Sequence, residues 1–173
     1  MLYGILAAFA VLIVILDQVT KYMTVSNIPL GGIVPFWDGL FHFTYIQNTG
    51  MAFSMLEGGR WFFLIMTAAA FVLLVITLKK GWITHPTGLW ALASITGGAI
   101  GNLIDRIFND GKVIDMFYIK LIDFPIFNVA DLFVTLPGGL FCLLLIREII
   151  AEEKAKKTTA LEENNEDHDS GTC

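Results

Sequence analysis

A few charged and amide side chains stand where an otherwise apolar chain tolerates them least. Asp17 and Lys21 close the first apolar block, together with Gln18 and Thr20. Asn102, Asp105 and Arg106 close a later block, Asn128 and Asp131 open the last, and Asp115 lies between these two. A charged group within a membrane span is costly, so by default it marks either function or a structural pairing. Asp17 and Lys21 are four residues apart and share a helix face, which suits a self-neutralising ion pair. Asn102 and Arg106 have the same spacing. Arg106 keeps its charge in any setting and has to find a carboxylate, a carbonyl or a lipid headgroup, whereas Asp105 points elsewhere on its helix and reads as a structural partner. Asn128 and Asp131, three apart at a helix start, suit an N-cap and the helix dipole.

Taken together, Asp115 and Asp131 are candidates for a carboxylate pair. Two close carboxylates do not both ionise comfortably, so they share a proton. One then acts as a base on water while the other, protonated, polarises a carbonyl, the arrangement of the aspartic proteases. Other catalytic sets are poorly supplied. His42, His85 and His168 are scattered, no His-Cys cluster suggests zinc, and no nucleophile elbow or phosphate-cradling loop is present. Three rivals to carboxylate chemistry stay open at this point. One is a magnesium-dependent lipid enzyme using Asp105, Asp115 and Asp131. Another is a transporter with a proton relay, although its polar groups belong near the midplane rather than at one end of the spans. The third is a scaffold whose polar groups satisfy only one another.

The elements that must position these groups are membrane helices. Of 173 residues 55% are hydrophobic and 16% charged, and the mean hydropathy is +0.69. That is too apolar for a soluble domain. The apolar residues fall into four blocks, each near the ~20 residues that span a bilayer, at about 2–22, 61–78, 87–107 and 131–150. The first opens Met1-Leu2-Tyr3 with no Lys or Arg, which reads as a retained helix and not a cleavable signal peptide. The third is rich in small residues (Ala91, Ala93, Ser94, Gly97, Gly98, Ala99, Gly101), which let membrane helices approach closely. The fourth contains Pro137-Gly138-Gly139, a kink signal. Cys142, inside this block, is expected to behave as a small buried hydrophobe, and no disulfide framework is implied.

Alternating chain direction puts all the polar clusters at one interface. The short loop with Lys79-Lys80 and the tail with Lys154, Lys156 and Lys157 share the other side, which the positive-inside rule makes cytoplasmic. Lys21, Arg60, Arg106, Lys112 and Lys120 oppose that vote, two of them (Lys21 and Arg106) from embedded positions. The outer connections, about 23–60 and 108–130, carry strand-like stretches at Phe41–Gln47 and Val113–Tyr118. Turns are expected at Gly31-Gly32, Asp38-Gly39 and Asn109-Asp110-Gly111. Residues 1–150 thus form one membrane domain. Residues 151–173 read as a disordered acidic tail holding much of the net charge of −5. No basic cluster recommends a nucleic-acid partner.

Five ordered stretches resemble the bacterial lipoprotein signal peptidases (signal peptidase II). They are Asp17–Lys21, Asn48-Thr49-Gly50-Met51-Ala52-Phe53-Ser54, Gly98–Arg106, Val113-Ile114-Asp115, and Phe127-Asn128-Val129-Ala130-Asp131. The resemblance runs from Asp17 to the fourth helix. It implies a four-helix membrane protein with a small extracytoplasmic sheet that cradles substrate, acting as a metal-independent aspartyl endopeptidase with no cofactor. Its substrates would be prolipoproteins, cleaved just before a diacylglyceryl-modified cysteine, and its lipid contacts those of an inner-membrane monomer. Carried over, Asp115 and Asp131 match the catalytic dyad. Asn48, Gly50, Asn102, Arg106 and Asn128 match the residues that support the dyad and substrate, and Asp17, Lys21 and Asp105 match structural positions. Met51 stands where alanine is usual in the family, and Met116 where phenylalanine is.

Overall fold

The computed structural model describes residues 1–50 and 60–143, together with 146, 147, 150 and 153. Most of the chain is helical. Helix α1, Leu2–Asn27, buries one stripe at spacings of three and four: Leu6, Ala10 and Ile13 first, then Asp17, Lys21 and Thr24. The same helix face is therefore apolar along its first half and polar toward its end. The helix outlasts the expected boundary at residue 22 because the Asp17–Lys21 pair neutralises itself and no breaker comes earlier than Pro29. Proline disfavours helical geometry in the residue before it, and Ile28 is extended (φ −121°, ψ 124°).

Helix α2 spans Arg60–Lys80 and α3 spans Pro86–Phe108. At the start of α3, Pro86 lies in the first turn and the His85 side chain accepts from the Thr87 N–H. A fourth helix, α4, covers Val129–Leu143 and begins two residues before the expected start. The first three are long and apolar enough to cross a membrane, whereas α4 over its described length is shorter. Pro137 lies within α4 and does not end it. Cys142 is exposed rather than buried. It shares this with most large apolar residues of the helices, such as Val11, Leu12, Ile15, Ile65, Val72 and Leu73, an outer surface suited to hydrocarbon.

Glycines bring α3 close to two neighbours. A Cβ on Gly97 would stand 2.8 Å from the Ala10 carbonyl oxygen of α1, and one on Gly98 would stand 2.5 Å from the Ala130 carbonyl oxygen of α4. Small residues are thus what lets backbones meet.

Three antiparallel strands complete the fold: β1 (Ile33–Trp37), β2 (Phe41–Asn48) and β3 (Val113–Ile119), in the order β1-β2-β3. The strands expected at Phe41–Gln47 and Val113–Tyr118 are present, each one residue longer. The three turns are present too, with positive φ at Gly31, Gly39, Asp110 and Gly111. Strand β1 was not expected. It contains Pro35, its residues are all exposed, and only pairing with β2 makes it a strand, as suits a proline-bearing edge. On the far side of β3, Phe127 bridges to Phe117, its carbonyl accepting from the Met116 and Phe117 N–H groups. This bridge ties the start of α4 to β3. Met116, the departure noted above, is 1% exposed and part of the core. Met51 lies outside the described residues, as does the acidic tail from 154 onward.

Candidate active site

Asn128 is the N-cap of α4. Its Oδ1 accepts from the Asp131 N–H at 2.9 Å, and Asp131 Oδ2 accepts from the Asn128 N–H at 3.1 Å. This is a reciprocal capping box with aspartate in the role of the usual glutamate or glutamine. The cap expected from the sequence is therefore real, and it does more than close a helix. The Asn128 side-chain NH2 also donates to Asp115 Oδ1 at 2.6 Å and to Asn102 Oδ1 at 3.1 Å. One fully buried asparagine thus holds a carboxylate from β3 and one from α4.

Each dyad oxygen receives an N–H. Asp115 Oδ2 accepts from Asn48 Nδ2 at 2.9 Å, and Asp131 Oδ1 accepts from Asn102 Nδ2 at 2.8 Å. Asn48 is itself fixed by the Gly50 N–H, which donates to its Oδ1 at 2.9 Å. The Asn48 stretch reaches Asp115 through the sheet, because β2 pairs with β3 in a register that sets Asn48 opposite Val113 and Ile46 opposite Asp115.

Below this layer lies a second, more deeply buried network. Lys21 Nζ meets Asp17 at 2.8 Å, Asp105 at 2.9 Å and Asn102 Oδ1 at 2.9 Å. The Asp17–Lys21 pairing expected from their spacing is present, and Asp105 joins it. Asp17 also accepts from the Ala130 N–H, and Asp105 from the Ile114 N–H. Gln18 bonds Asp17, Asp105 and the Gly101 carbonyl. These contacts join α1, α3, β3 and α4 at one point. Burying such charges is tolerable only because every one is paired and hydrogen-bonded.

Asp115 and Asp131 open onto a cavity of about 460 Å³, whose wall also includes Asn48, Gly50, Asn102 and Arg106 on the polar side and Phe63, Phe124 and Phe127 on the apolar side. The Arg106 guanidinium stacks 4.5 Å over the Phe63 ring. Its Nε has no hydrogen-bond partner among the described residues. Phe63 is a functional neighbour that the sequence conceals, since nothing separates it from the other apolar residues of α2. A second cavity, about 400 Å³ and lined by residues such as Thr20, Asn27 and Phe43, has no ionisable side chain in its wall.

Asp115 is 2% exposed. Burial, followed by the negative charge of Asp131, pushes its carboxyl up to about 7, against the opposing pull of the Asn48 and Asn128 hydrogen bonds. Among the described residues no three His, Cys, Asp or Glu side chains converge as a metal-binding group. Asp105, needed for the magnesium reading, is turned to Lys21, Gln18 and the Ile114 N–H instead. Two carboxylates, Asp115 and Asp131, thus stand in the wall of one half-apolar cavity.

The rest of the Asn48 stretch, from Met51 onward, lies outside the described residues. The other residues singled out for the candidate site belong to the cavity wall or to the buried network, and Asn128 ties to both through Asp115 and Asn102.

The family described as "Signal peptidase (SPase) II" matches residues 9–147. A lipoprotein signal peptidase of Brevibacillus brevis is 42% identical over 134 residues, which cover 78% of this chain and 89% of that protein. One from Symbiobacterium thermophilum is 41% identical over 139 residues, covering 79% and 91%. Two solved structures, each described as a bacterial membrane enzyme, superpose with TM-scores of 0.78 and 0.73. They are 32% and 33% identical to this chain, which they match over 84% and 82% of its length and 90% and 92% of theirs. Chemistry, fold and kinship converge: this membrane-integral chain belongs to the signal peptidase II family.

Proposed function

We propose that the chain is a membrane aspartyl endopeptidase that cuts the signal peptide from prolipoproteins immediately before a diacylglyceryl-modified cysteine, with Asp115 and Asp131 as its catalytic pair. The observation that carries this reading is the double tie made by Asn128, which holds both carboxylates at the wall of one cavity. In this reading α4 continues as a fourth membrane span. Both termini are cytoplasmic and the dyad stands near the outer face of a bacterial inner membrane. The chain works as a monomer.

Asp115 is the protonated member, since its burial beside Asp131 keeps the proton to near neutrality. Asp131 draws a proton from a water molecule, whose oxygen attacks the scissile carbonyl carbon. Asp115 gives its proton to the carbonyl oxygen. The resulting diol collapses as the C–N bond breaks, and the leaving amine takes the proton held by Asp131. A hydroxyl proton of the diol returns to Asp115. The outcome is a new carboxyl group and a free amine, and both aspartates return to their starting states without a metal or covalent intermediate.

The lipid chains of the substrate lie in the bilayer, and its peptide crosses the outer interface over the sheet. Phe63, Phe124 and Phe127 line the cavity of the two aspartates and supply an apolar bed. Arg106 and Asn48 face the same cavity as the dyad and are placed to meet peptide or ester carbonyls.

The test is cleavage of a lipid-modified prolipoprotein peptide by purified protein in detergent, with and without a chelator. Cleavage before the modified cysteine at the same rate in both is the expected result. Failure of folded protein to cleave overturns the reading, and loss of activity on chelation overturns the dyad mechanism.

A pH dependence follows from the dyad. Activity requires one proton on the pair, so kcat/KM is expected to fall as pH rises through about 7, when Asp115 ionises. The limb belongs to the coupled pair. An activity that stays flat well above that pH rejects a singly protonated pair as the active form.

A further inference from the structure

The dyad has a polarity that its own residues set only in part. All four of its oxygens accept from N–H groups, two of them on Asp115 and two on Asp131. A side-chain amide has a donor end and an acceptor end, so each asparagine has to be turned the right way. Asn128 is turned by the Asp131 N–H, which demands its oxygen. Asn48 is turned by the Gly50 N–H in the same manner. Asn102 has no such backbone donor. Its oxygen is taken by Lys21 Nζ at 2.9 Å and by Asn128 Nδ2 at 3.1 Å.

Lys21 has no acceptor to offer, only three N–H donors. Asp17, Asp105 and Asn102 are the three acceptors around it, at 2.8, 2.9 and 2.9 Å. The ammonium is 2% exposed and held on α1, while Asn102 and Asp105 come from α3. Were the Asn102 amide reversed, its NH2 would face the ammonium and its oxygen would face the Asp131 carboxylate, a repulsion at both ends. The buried cation, together with the Asn128 NH2, therefore fixes which end of Asn102 meets Asp131.

We propose that Lys21 is a positioning residue for catalysis, acting through Asn102: by claiming the amide oxygen it turns the amide NH2 onto Asp131 and holds that carboxylate in place. This goes beyond structural pairing with Asp17 and rests on the dyad reading. The polarity has a consequence for the shared proton. Every hydrogen bond to the dyad that comes from these groups is a donated one, so none of them accepts the proton of the acid. That proton is left for the water or carbonyl in the cavity.

The test compares Lys21→Met with Lys21→Arg on the lipid-modified peptide, in detergent, beside wild type and Asp131→Asn. Lys21→Met keeps the stem of the side chain and removes the donors. Its kcat is expected to fall about a hundredfold, the scale of small misplacements at a reacting centre, with KM within about twofold. Lys21→Arg again presents only donors, so it is expected to recover at least about a tenth of wild-type kcat. Thermal unfolding reports on folding. Should Lys21→Met not fold, the double variant Lys21→Met with Asp105→Asn decides, since it removes the cation without changing the net charge of the buried network. A folded variant lacking the cation with kcat close to wild type overturns the inference, as does a loss of activity that only tracks loss of folded protein. Wild-type turnover by Asp131→Asn in the same series is a different failure, that of the dyad itself.

Discussion

Asp115→Asn and Asp131→Asn are each expected to lower kcat by about three to four orders of magnitude, the scale seen when one member of a catalytic set is removed, while leaving a folded protein. Asparagine fills the same space but neither carries the acid proton nor takes one from water. The two variants differ in stability, which makes the prediction sharper. At position 115 the wild-type carboxyl is buried beside another carboxylate, and its proton is held to about 7. A group whose pKa is raised by folding contributes stability that is fully present below its ordinary value and lost as pH rises through the raised one. Above pH 7, Asp115→Asn removes this cost but sets an NH2 against the Asn48 or Asn128 NH2, so its unfolding temperature is expected to fall less below wild type there than at lower pH. Asp131 instead closes the capping box of α4, accepting from the Asn128 N–H. Its replacement is expected to cost about 1 kcal/mol, as for a lost helix cap. Thermal unfolding across pH, alongside cleavage, checks both. Normal turnover by either variant would remove that aspartate from the mechanism.

A methyl group that replaces no catalytic atom is expected to have the next largest effect. Gly98 faces the backbone of α4, where a Cβ would stand 2.5 Å from the Ala130 carbonyl oxygen and 2.8 Å from Val134 Cγ2. No real Cβ tolerates that approach, and the obstacle is main chain, which has no other rotamer. Gly98→Ala therefore has to push away the first turn of α4, which carries Asn128 and Asp131. Gly101→Ala meets Asp17 Oδ2 at 2.5 Å, an atom locked by Lys21. Each is expected to destabilise the fold by roughly 1–3 kcal/mol, as for overpacking, and to lower kcat by about a hundredfold or more through displacement of the dyad. Gly4→Ala is the control, since nothing lies within 4 Å of its would-be Cβ. Comparable losses in all three would attribute the effect to glycine removal in general. Intact activity in Gly98→Ala would show that α4 does not depend on this close approach.

Much of the site was legible before any coordinates, for a physical reason: the signals are local. The four-residue spacing of Asp17 and Lys21 is a helix-face signal, the Asn128–Asp131 spacing is a cap, and Gly39 and Gly111 mark turns where φ is positive. The cost of charge among apolar residues made Arg106 and the aspartates conspicuous in a chain that is 55% hydrophobic. By itself, then, the sequence determined the apolar helices, two of the three strands, and which polar residues had to find partners.

Which partners they found was decided by tertiary structure. Asn48 and Asp115 are 67 positions apart, and Asp17 and Ala130 are 113 apart. No periodicity carries information across such distances. Strand β1 escaped notice because its fully exposed run around Pro35 does not alternate, and only β2 makes it a strand. Phe63 became a platform for Arg106 only once α2 and α3 were side by side. Most telling is Lys21, which reads in the sequence as half of an ion pair and in the structure as the group that turns Asn102 toward Asp131. A side-chain amide has no preferred end until its neighbours are in place. The direction of the hydrogen bonds around the dyad was therefore settled only when α1, α3, β3 and α4 met at one point.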